Sequence, residues 1–308
     1  MIYRIDFKAM GCHMLAMLES SSPEAPALLA QVPNWFEEWE QVLSRFRPDS
    51  ELSQLNKSAG WPMKVSQTLW DVFQCAQTAE KDSQGLVRAS VLDALLMAGY
   101  DRSFDQMQPE NIQTRVSTWN EVASLDEISS DQVEKTICLP ADTHLDFGGV
   151  AKGWAANQAA NRLSNHGSAL VSAGGDIAIS AKLPNAEQWP VSIDDPLKSG
   201  EIIATLMLGA CGVATSGTDH RRWKQGGRLN HHIIDPRSGQ PAQTDLISAT
   251  VIAPTATLAE MAAKTVMILG SQAGMAWVEA RSELSALLVR ETGEIFCSTH
   301  MEKLFWRS

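Results

Sequence analysis

The sequence lacks a long apolar run, a basic block and paired cysteines. No window of about 18 apolar residues occurs, so a membrane-spanning helix is not expected. Residues 1–8 alternate in hydropathy and lack the apolar core of a signal peptide, and no apolar run precedes Cys12 as it would in a lipid-attachment site. We therefore expect a cytoplasmic protein.

Charge and cysteine usage narrow the choice of partners. The formal net charge is −11 and no segment is rich in lysine or arginine, so nucleic acid is not an expected partner. Five widely spaced cysteines favour reduced, mostly buried thiols over a disulfide framework or a zinc site. With 44% hydrophobic residues and neither repeats nor low-complexity linkers, the chain is predicted to fold as one domain over 1–308.

Hydropathy patterns predict a mixed α+β fold. Strands are predicted over 2–8, 12–19, 136–139, 168–180 with a break at the Gly-Gly-Asp triplet, 189–193, 202–208, 211–214, 247–253, 284–290 and 294–297. Helices are predicted over 23–46, 66–83, 150–164 and 257–269, with surface loop over most of 105–143 and a basic loop at 221–223. Because the strands come in hairpin-like pairs, we expect mostly antiparallel sheets with flanking helices.

A glycine turn at 145–153 is the most informative local pattern. Asp146 is followed by two glycines and then by Lys152, in the first turn of the helix predicted over 150–164. Free N–H groups and the helix dipole at such a place favour a bound anion, so the pattern predicts a phosphate site. A purely structural turn with a solvated lysine is the alternative.

Further motifs accompany this turn in a fixed order. They are Met10-Gly11, the segment 46–56 (FRPDSELSQLN), Ala98-Gly-Tyr-Asp101, the turn itself, Leu170–Asp176, Ala214-Thr-Ser-Gly217, His231-His-Ile-Ile-Asp-Pro236 with Gly239, and Ala259–Gly270. Together they resemble the FAD:protein FMN transferase family, the ApbE-type flavin transferases. Their joint order is more specific than any single motif.

The resemblance implies a single-domain α+β enzyme with an ApbE-like, T-fold-like architecture. Its reaction would move FMN from FAD onto a threonine or serine hydroxyl of an acceptor flavoprotein and release AMP. Attack of an alcohol on one phosphorus of a pyrophosphate needs a base, cations or N–H groups on the phosphate oxygens, and in-line placement. The partners implied are therefore FAD and the acceptor protein.

The resemblance also assigns site residues. Family contacts to FAD fall on Met10, Phe46, Arg88, Ala89, Ser90, Asp146 and Lys152. His232 matches the histidine expected to act as the base, since an imidazole pKa suits that task. The alternatives are structural: Met10 and Phe46 as core, Asp146 as a turn cap, and His231 and His232 as ordinary strand residues. Asp176 and Asp235 are predicted as turn formers, because Gly-Gly-Asp and Asp-Pro favour turns.

The family's magnesium site is altered in this chain. Relatives use an aspartate and, four residues later, a threonine or serine, where Glu260 and Lys264 stand here, with Gly149 as the backbone contributor. An ammonium cannot ligate Mg²⁺ and is repelled by it. Arg88 also stands where the family often has aspartate.

Three hypotheses follow from these departures. In the first, Lys264 is held by Glu260 and neutralises the pyrophosphate directly, which gives a transferase with altered metal dependence. In the second, the chain is an FAD-binding protein that lacks transferase activity. In the third, a divalent ion stays on Glu260 and backbone oxygens while Lys264 turns away. A plain surface pair between Glu260 and Lys264 is the structural alternative.

Overall fold

The structure, a computed structural model, describes residues 1–107 and 122–306. Its strands are β1 (Ile2–Ala9), β2 (Cys12–Glu19), β3 (Met63–Lys64), β4 (Ser129–Asp131), β5 (Thr136–Cys138), β6 (Ser168–Ala173), β7 (Asp176–Ile179), β8 (Trp189–Asp194), β9 (Ile202–Leu208), β10 (Cys211–Gly217), β11 (Arg222–Gln225), β12 (Arg228–His231), β13 (Ile234–Asp235), β14 (Gln240–Pro241), β15 (Leu246–Ala253), β16 (Ser285–Arg290) and β17 (Ile295–Cys297). Its helices are α1 (Ala25–Leu29), α2 (Val32–Leu43), α3 (Glu51–Lys57), α4 (Gln67–Asp82), α5 (Leu92–Met97), α6 (Ala151–Ser164) and α7 (Ala256–Glu279). Single 3₁₀ turns occur at Ala89–Val91, Phe104–Gln106, Leu125–Glu127, Pro184–Ala186 and Met301–Lys303.

The described chain forms two compact units, each assembled from separate segments. The sheet unit comprises Met1–Phe36, Lys152–Asp219 and the described part of Thr244–Ser308. The helical unit comprises the described part of Glu37–Ala151 together with His220–Gln243. No helix within 1–107 or 122–306 has the length and apolar character needed to cross a membrane.

The sheet unit is built on an antiparallel sheet of strand order β1-β2-β6-β7-β10-β15-β16-β17. Each neighbouring pair in it is antiparallel, as the hairpin-like sequence pattern predicts. All eight residues of β15 are buried, because α7 packs on the strand from one side and the β8–β9 hairpin contributes to a shared apolar cluster. The predicted α+β class with mostly antiparallel sheets is confirmed.

Helix α6 has the buried face that its sequence predicts. Ala155, Ala159 and Leu163 recur at a spacing of four and are fully buried. An alanine-rich face lets neighbouring backbone approach closely. Gly153, in the first turn, has no side chain and allows a still closer approach. A Cβ there would lie 2.6 Å from the carbonyl oxygen of Ala256, so only glycine permits α6 to meet the start of α7.

The helical unit combines helices with short strand pairs. Its strands form the sheet β3-β5-β4 and the hairpins β11–β12 and β13–β14. Helix α4 starts as predicted, with the Ser66 hydroxyl accepting a hydrogen bond from Leu69 N at 3.3 Å. One apolar cluster joins α5 to the β11–β12 hairpin through Leu95, Tyr100 and Trp223.

Two element predictions are wrong in detail. The helix predicted over 23–46 is two helices, because Pro33 has no N–H to donate and fits only the first turn of α2. The basic loop predicted at 221–223 overlaps the start of β11, where Trp223 is buried. The predicted end of the helix at 269 coincides with a break in α7 at Gly270, after which a second helical segment begins and Asp245 caps the Ser271 N–H at 2.8 Å. Residues 108–121, within the predicted surface loop, lie outside the described residues.

Candidate functional site

Two lysines and two carboxylates meet at the N-terminal end of α6 in the sheet unit. We name Lys152, Asp176, Glu260 and Lys264 the lysine–carboxylate cluster. The Lys152 ammonium donates to Asp176 Oδ2 and, at 3.0 Å, to Glu260 Oε1. Lys264 Nζ lies 3.1 Å from the same Glu260 oxygen. The cluster thus contains two positive and two negative groups in direct contact.

Each member is positioned by its element. Lys152 lies in the first turn of α6, and Asp176 begins β7. Glu260 and Lys264 are one turn apart on α7, so both side chains project from the same face. The backbone N–H of Gly153 donates to Glu260 Oε2 at 2.9 Å, which is possible because the glycine lets α6 and α7 approach.

The carboxylates of the cluster are more deeply buried than the lysine side chains. The side chains of Glu260 and Asp176 are 0% and 4% exposed, whereas those of Lys264 and Lys152 are 15% and 16% exposed. Solvent therefore reaches the lysine side chains more than the carboxylates. This arrangement favours an anion such as phosphate.

The two carboxylates of the cluster differ in pKa although both are buried. Burial raises the pKa of Asp176 to about 6, and the negative charge of Glu260 raises it too, against the opposing effects of Lys152 and Lys264. Glu260 is equally buried, yet Lys152, Lys264 and the Gly153 N–H lower its pKa to about 2. Glu260 is therefore ionised near neutral pH, and Asp176 titrates closer to neutral pH than Glu260 does.

Two hairpin turns lie beside the cluster. Met10 and Gly11 join β1 to β2 with φ of 49° and 65°, and Gly174 and Gly175 join β6 to β7 with φ of 64° and 98°. Two-residue hairpins of this kind need positive φ at both positions, which glycine tolerates and methionine does not. A Cβ on Gly174 would lie 2.8 Å from the Cβ of Cys12 and 3.9 Å from Cδ of Lys152. The structure thus brings the Met10 turn and Lys152 into one neighbourhood.

The residues expected to hold magnesium do not fit a divalent ion. Both oxygens of Glu260 are engaged, Oε1 by two ammoniums and Oε2 by the Gly153 N–H. An ammonium has no lone pair to offer a metal and repels one. Over 1–107 and 122–306 no three or more His, Cys, Asp or Glu side chains are grouped so as to hold a metal. Gly149 lies in the turn before α6, and its role as a ligand stays a prediction.

A second buried ion pair lies in the helical unit. We name Arg45, Phe46, Tyr100 and Asp146 the arginine cluster. Arg45 Nε is 2.5 Å from Asp146 Oδ2, and both side chains are largely buried. The guanidinium carbon also lies 4.1 Å from the ring centroid of Phe46 and 4.7 Å from that of Tyr100. Phe46 remains substantially exposed, so its ring presents an aromatic surface to solvent.

Asp146 holds the glycine turn together. Besides the Arg45 pair, its Oδ1 accepts a hydrogen bond from Gly148 N at 2.7 Å, and its own N–H donates to Ala89 O at 2.7 Å. Asn56 fixes the preceding residue by hydrogen bonds to both backbone groups of Leu145. The carboxylate is thus occupied as a turn cap, and a direct contact to FAD stays a prediction.

Arg88 and Ser90 bind the segment that follows residue 121. The Arg88 guanidinium pairs with Glu80 at 3.2 Å and donates to the carbonyl of Val122. The Ser90 hydroxyl donates to the carbonyl of Ala123, and Ala89 between them is buried. In the described residues these side chains are engaged with protein, so their predicted FAD contacts stay predictions.

The two adjacent histidines differ in their surroundings. His231 Nδ1 accepts the N–H of Ile233 at 3.3 Å, so its proton is on Nε2, which donates to Ala242 O at 3.0 Å. His231 is therefore a neutral structural residue that closes the β12–β13 turn. His232 is half-buried and follows the end of β12. Of the pair, His232 is the one that the family resemblance predicts as the base.

Sequence reasoning missed several members of these clusters. Asp176 was expected to form a turn, yet it is buried against Lys152; its place at the end of the Leu170–Asp176 motif was the available signal. Arg45 directly precedes the Phe46 motif and gave no pattern of its own. The stacking of Tyr100 on Trp223, with ring centroids 5.4 Å apart, joins residues distant in sequence.

Comparisons with known proteins identify relatives of the whole chain. A sequence model described as the ApbE family matches residues 7–288. A protein of Klebsiella pneumoniae (strain 342), named FAD:protein FMN transferase, is 26% identical over 97% of this chain and 92% of its own. One of Treponema pallidum (strain Nichols) with the same name is 30% identical over 90% of this chain and 81% of its own.

Solved structures share the fold. The crystal structure of the ApbE protein from Thermotoga maritima MSB8 superposes with a TM-score of 0.88 at 20% identity and covers 100% of both chains. The apo form of the flavinyl transferase ApbE from Pseudomonas stutzeri gives a TM-score of 0.82 at 23% identity, covering 100% of this chain and 98% of its own.

Proposed function

The chain belongs to the ApbE family, and on this basis we propose that it is an FAD:protein FMN transferase. The same activity is named for its relatives in Klebsiella pneumoniae and Treponema pallidum. The enzyme binds FAD as its substrate, attaches the FMN part to a threonine or serine hydroxyl of an acceptor flavoprotein and releases AMP.

The reaction is an in-line displacement at phosphorus. The acceptor hydroxyl oxygen forms a bond to the FMN-side phosphorus, the bond from that phosphorus to the bridging oxygen breaks, and AMP leaves with the bridging oxygen. His232 accepts the hydroxyl proton. Little covalent chemistry is asked of the protein, so positioning and neutralisation of phosphate charge supply most of the catalysis.

One observation in the sheet unit carries this proposal beyond family membership. The lysine–carboxylate cluster buries its negative groups and leaves its lysine side chains partly exposed at a helix N-terminus. Pyrophosphate is the part of FAD that such a surface favours. Lys152 and Lys264 therefore neutralise the phosphates in this proposal.

Other residues shape the FAD site in this proposal. Met10, Phe46, Ala89 and Ser90 contact FAD, with the exposed ring of Phe46 offering an apolar face. Arg88 and Asp146 hold protein partners, and their contribution is to fix the backbone of the segments that carry the contacts.

A specific feature favours a second candidate, an FAD-binding protein that does not transfer FMN. The charges of the cluster balance, because Glu260 and Asp176 already engage the ammoniums. If that balance leaves too little positive charge for the transition state, FAD binds without reacting. The same two lysines thus carry both candidates, and only a rate measurement separates them.

The test is incubation with FAD and an acceptor flavoprotein from the same genome. Transfer is expected as an FMN-sized mass increase on the acceptor with one AMP released per FMN attached. FAD retained with no transfer to any such acceptor would establish the second candidate instead.

A histidine pair supplies the matched variants. We expect His232→Gln to slow transfer by about 10²–10⁴-fold with FAD affinity unchanged, since it removes the base. His231→Gln changes the neighbouring ring that closes a turn, so it should lower stability while folded molecules still transfer FMN. A His232→Gln enzyme that transfers at the original rate would contradict the assignment.

A further inference from the structure

We propose that this chain uses the Lys152 and Lys264 ammoniums in place of a divalent metal ion, so that FAD binding is independent of magnesium. The inference rests on the proposed function and concerns the same site. The family resemblance implies Mg²⁺, and the residues present do not fit it. What they do provide is a pair of fixed positive charges.

The two lysines together carry the charge of one divalent ion. Two lysines bring two positive charges, which equals the charge of one divalent ion, and both lie within hydrogen-bond distance of one oxygen of Glu260. Glu260 is therefore shared between two cations in the way that a metal-ligating carboxylate would hold one dication. A divalent ion placed on that oxygen would have to displace both ammoniums or lie against them.

The burial excludes a surface role for the pair. A solvated Glu–Lys pair has both side chains exposed, as in Lys198 and Glu201, whose side chains are 64% and 61% exposed at 3.2 Å. Lys264 and Glu260 are 15% and 0% exposed. A charge covered to this degree is costly unless it is paired, so the contact is part of the folded structure.

The Lys264 side chain is not turned away from the site. Its ammonium points to Glu260, and a helical spacing of four fixes that direction. An ammonium has three N–H bonds, and within the described residues Glu260 accepts one from Lys264. The Lys264 side chain is 15% exposed, and in this proposal the remaining donors bind a phosphate oxygen.

Metal binding by the protein alone is the first test, with Mn²⁺ as the probe and the free ion measured by EPR. The wild type should show no saturable binding at millimolar Mn²⁺. Glu260→Asp/Lys264→Thr replaces the ammonium with a hydroxyl oxygen beside a carboxylate, and should gain a single saturable site. Lys198→Thr is the matched control for a lysine lost from an exposed pair, and should bind none. Saturable binding by the wild type would overturn the inference.

FAD affinity is the second test, measured by flavin fluorescence with EDTA or with Mg²⁺. Wild-type affinity should be the same in both. Lys264→Thr should weaken binding by about tenfold or more in EDTA, because a charged hydrogen bond to phosphate is lost, whereas Lys264→Arg should keep most of the affinity. Circular dichroism checks that each variant folds, and the wild-type comparison stands even where one does not.

The outcomes separate this inference from the proposed function. FAD binding that resists EDTA supports the inference even if no acceptor is modified. Transfer that stops in EDTA and returns with Mg²⁺ overturns it, although that result would confirm the transferase. Lys264→Thr with undiminished FAD affinity in EDTA would also overturn it.

Discussion

The lysine–carboxylate cluster and the arginine cluster each bury a cation against a carboxylate, and they leave that cation in different situations. Arg45 forms an ion pair with Asp146, donates to the carbonyl oxygen of Tyr100 at 2.9 Å, and lies over two rings. Its charge is met on several sides by protein. Lys152 and Lys264 are held by covered carboxylates and remain partly exposed.

The difference supports the proposal that the arginine serves the fold and the lysines serve a ligand. A guanidinium that is paired, hydrogen-bonded and stacked has little capacity left for another partner. The two lysine side chains are held in place by carboxylates and are partly exposed, which is what the proposed phosphate site requires. Burial of a charge does not by itself indicate a function.

The largest effect is expected from breaking the arginine cluster. Arg45→Met keeps an apolar stem over the rings and leaves Asp146 buried without its cation. Losing one partner of a buried pair costs about 3–5 kcal/mol, so the free energy of unfolding in urea should fall by about that much.

The control for this change is a pair on the surface of the same unit. Arg102 and Asp101 lie 2.9 Å apart with Arg102 mostly exposed, so Arg102→Met should change stability by less than about 1 kcal/mol. If Arg45→Met were as mild as Arg102→Met, the contrast between the two clusters would be lost, because Arg45 would then not be a structural residue.

The fold was largely predictable because its cues are local. Strand alternation and glycine turns specify hairpins such as β1–β2 and β6–β7, and an apolar spacing of four specifies the buried face of α6. Local cues also mislead where long-range packing decides. The run Arg221-Arg222-Trp223 has the composition of a basic loop, and it is a strand because Trp223 Nε1 donates to the distant carbonyl of Ala98 at 2.6 Å.

The site was predictable in its residue types and not in its geometry. The pairing of Lys264 with Glu260 follows from a spacing of four on one helix. The contact of Lys152 with that pair cannot be inferred from spacing. It depends on the meeting of α6 and α7 at Gly153, and Gly153 and Glu260 are more than a hundred residues apart in sequence. Asp176 was assigned to a turn because the composition of its segment favours one. Its contact with Lys152 depends on tertiary packing.

A pH titration of stability tests the lysine–carboxylate cluster. Burial raises the pKa of Asp176 from 3.8 to about 6, so the folded state holds that proton more tightly than the unfolded state. Stability from this group is complete below pH 3.8 and is lost as pH rises through about 6. Asp176→Asn cannot lose a proton, so the stability of the variant relative to wild type should rise across this window by roughly 1–3 kcal/mol.

The measurement is urea unfolding of both proteins at several pH values, with the difference plotted against pH. The pKa of about 6 already includes the effect of Lys152, so the loss of that ion pair in the variant is part of the expected slope. Asp126→Asn is the control for the same substitution at an exposed position. A flat Asp176→Asn curve would mean that the two carboxylates of the cluster do not differ in the way their partners predict.

The smallest effect compares a positive-φ residue beside the lysine–carboxylate cluster with one in the other unit. Met10 and Lys135 have φ of 49° and 51°, a region that costs a side chain about 1–2 kcal/mol and that asparagine tolerates better. Met10→Asn and Lys135→Asn should therefore each raise the free energy of unfolding by up to about 1 kcal/mol. Only Met10→Asn should weaken FAD binding, because the proposal places Met10 and not Lys135 against the flavin. Equal FAD affinity in both variants would show that Met10 is merely a turn residue, and that the strain in its hairpin serves no ligand.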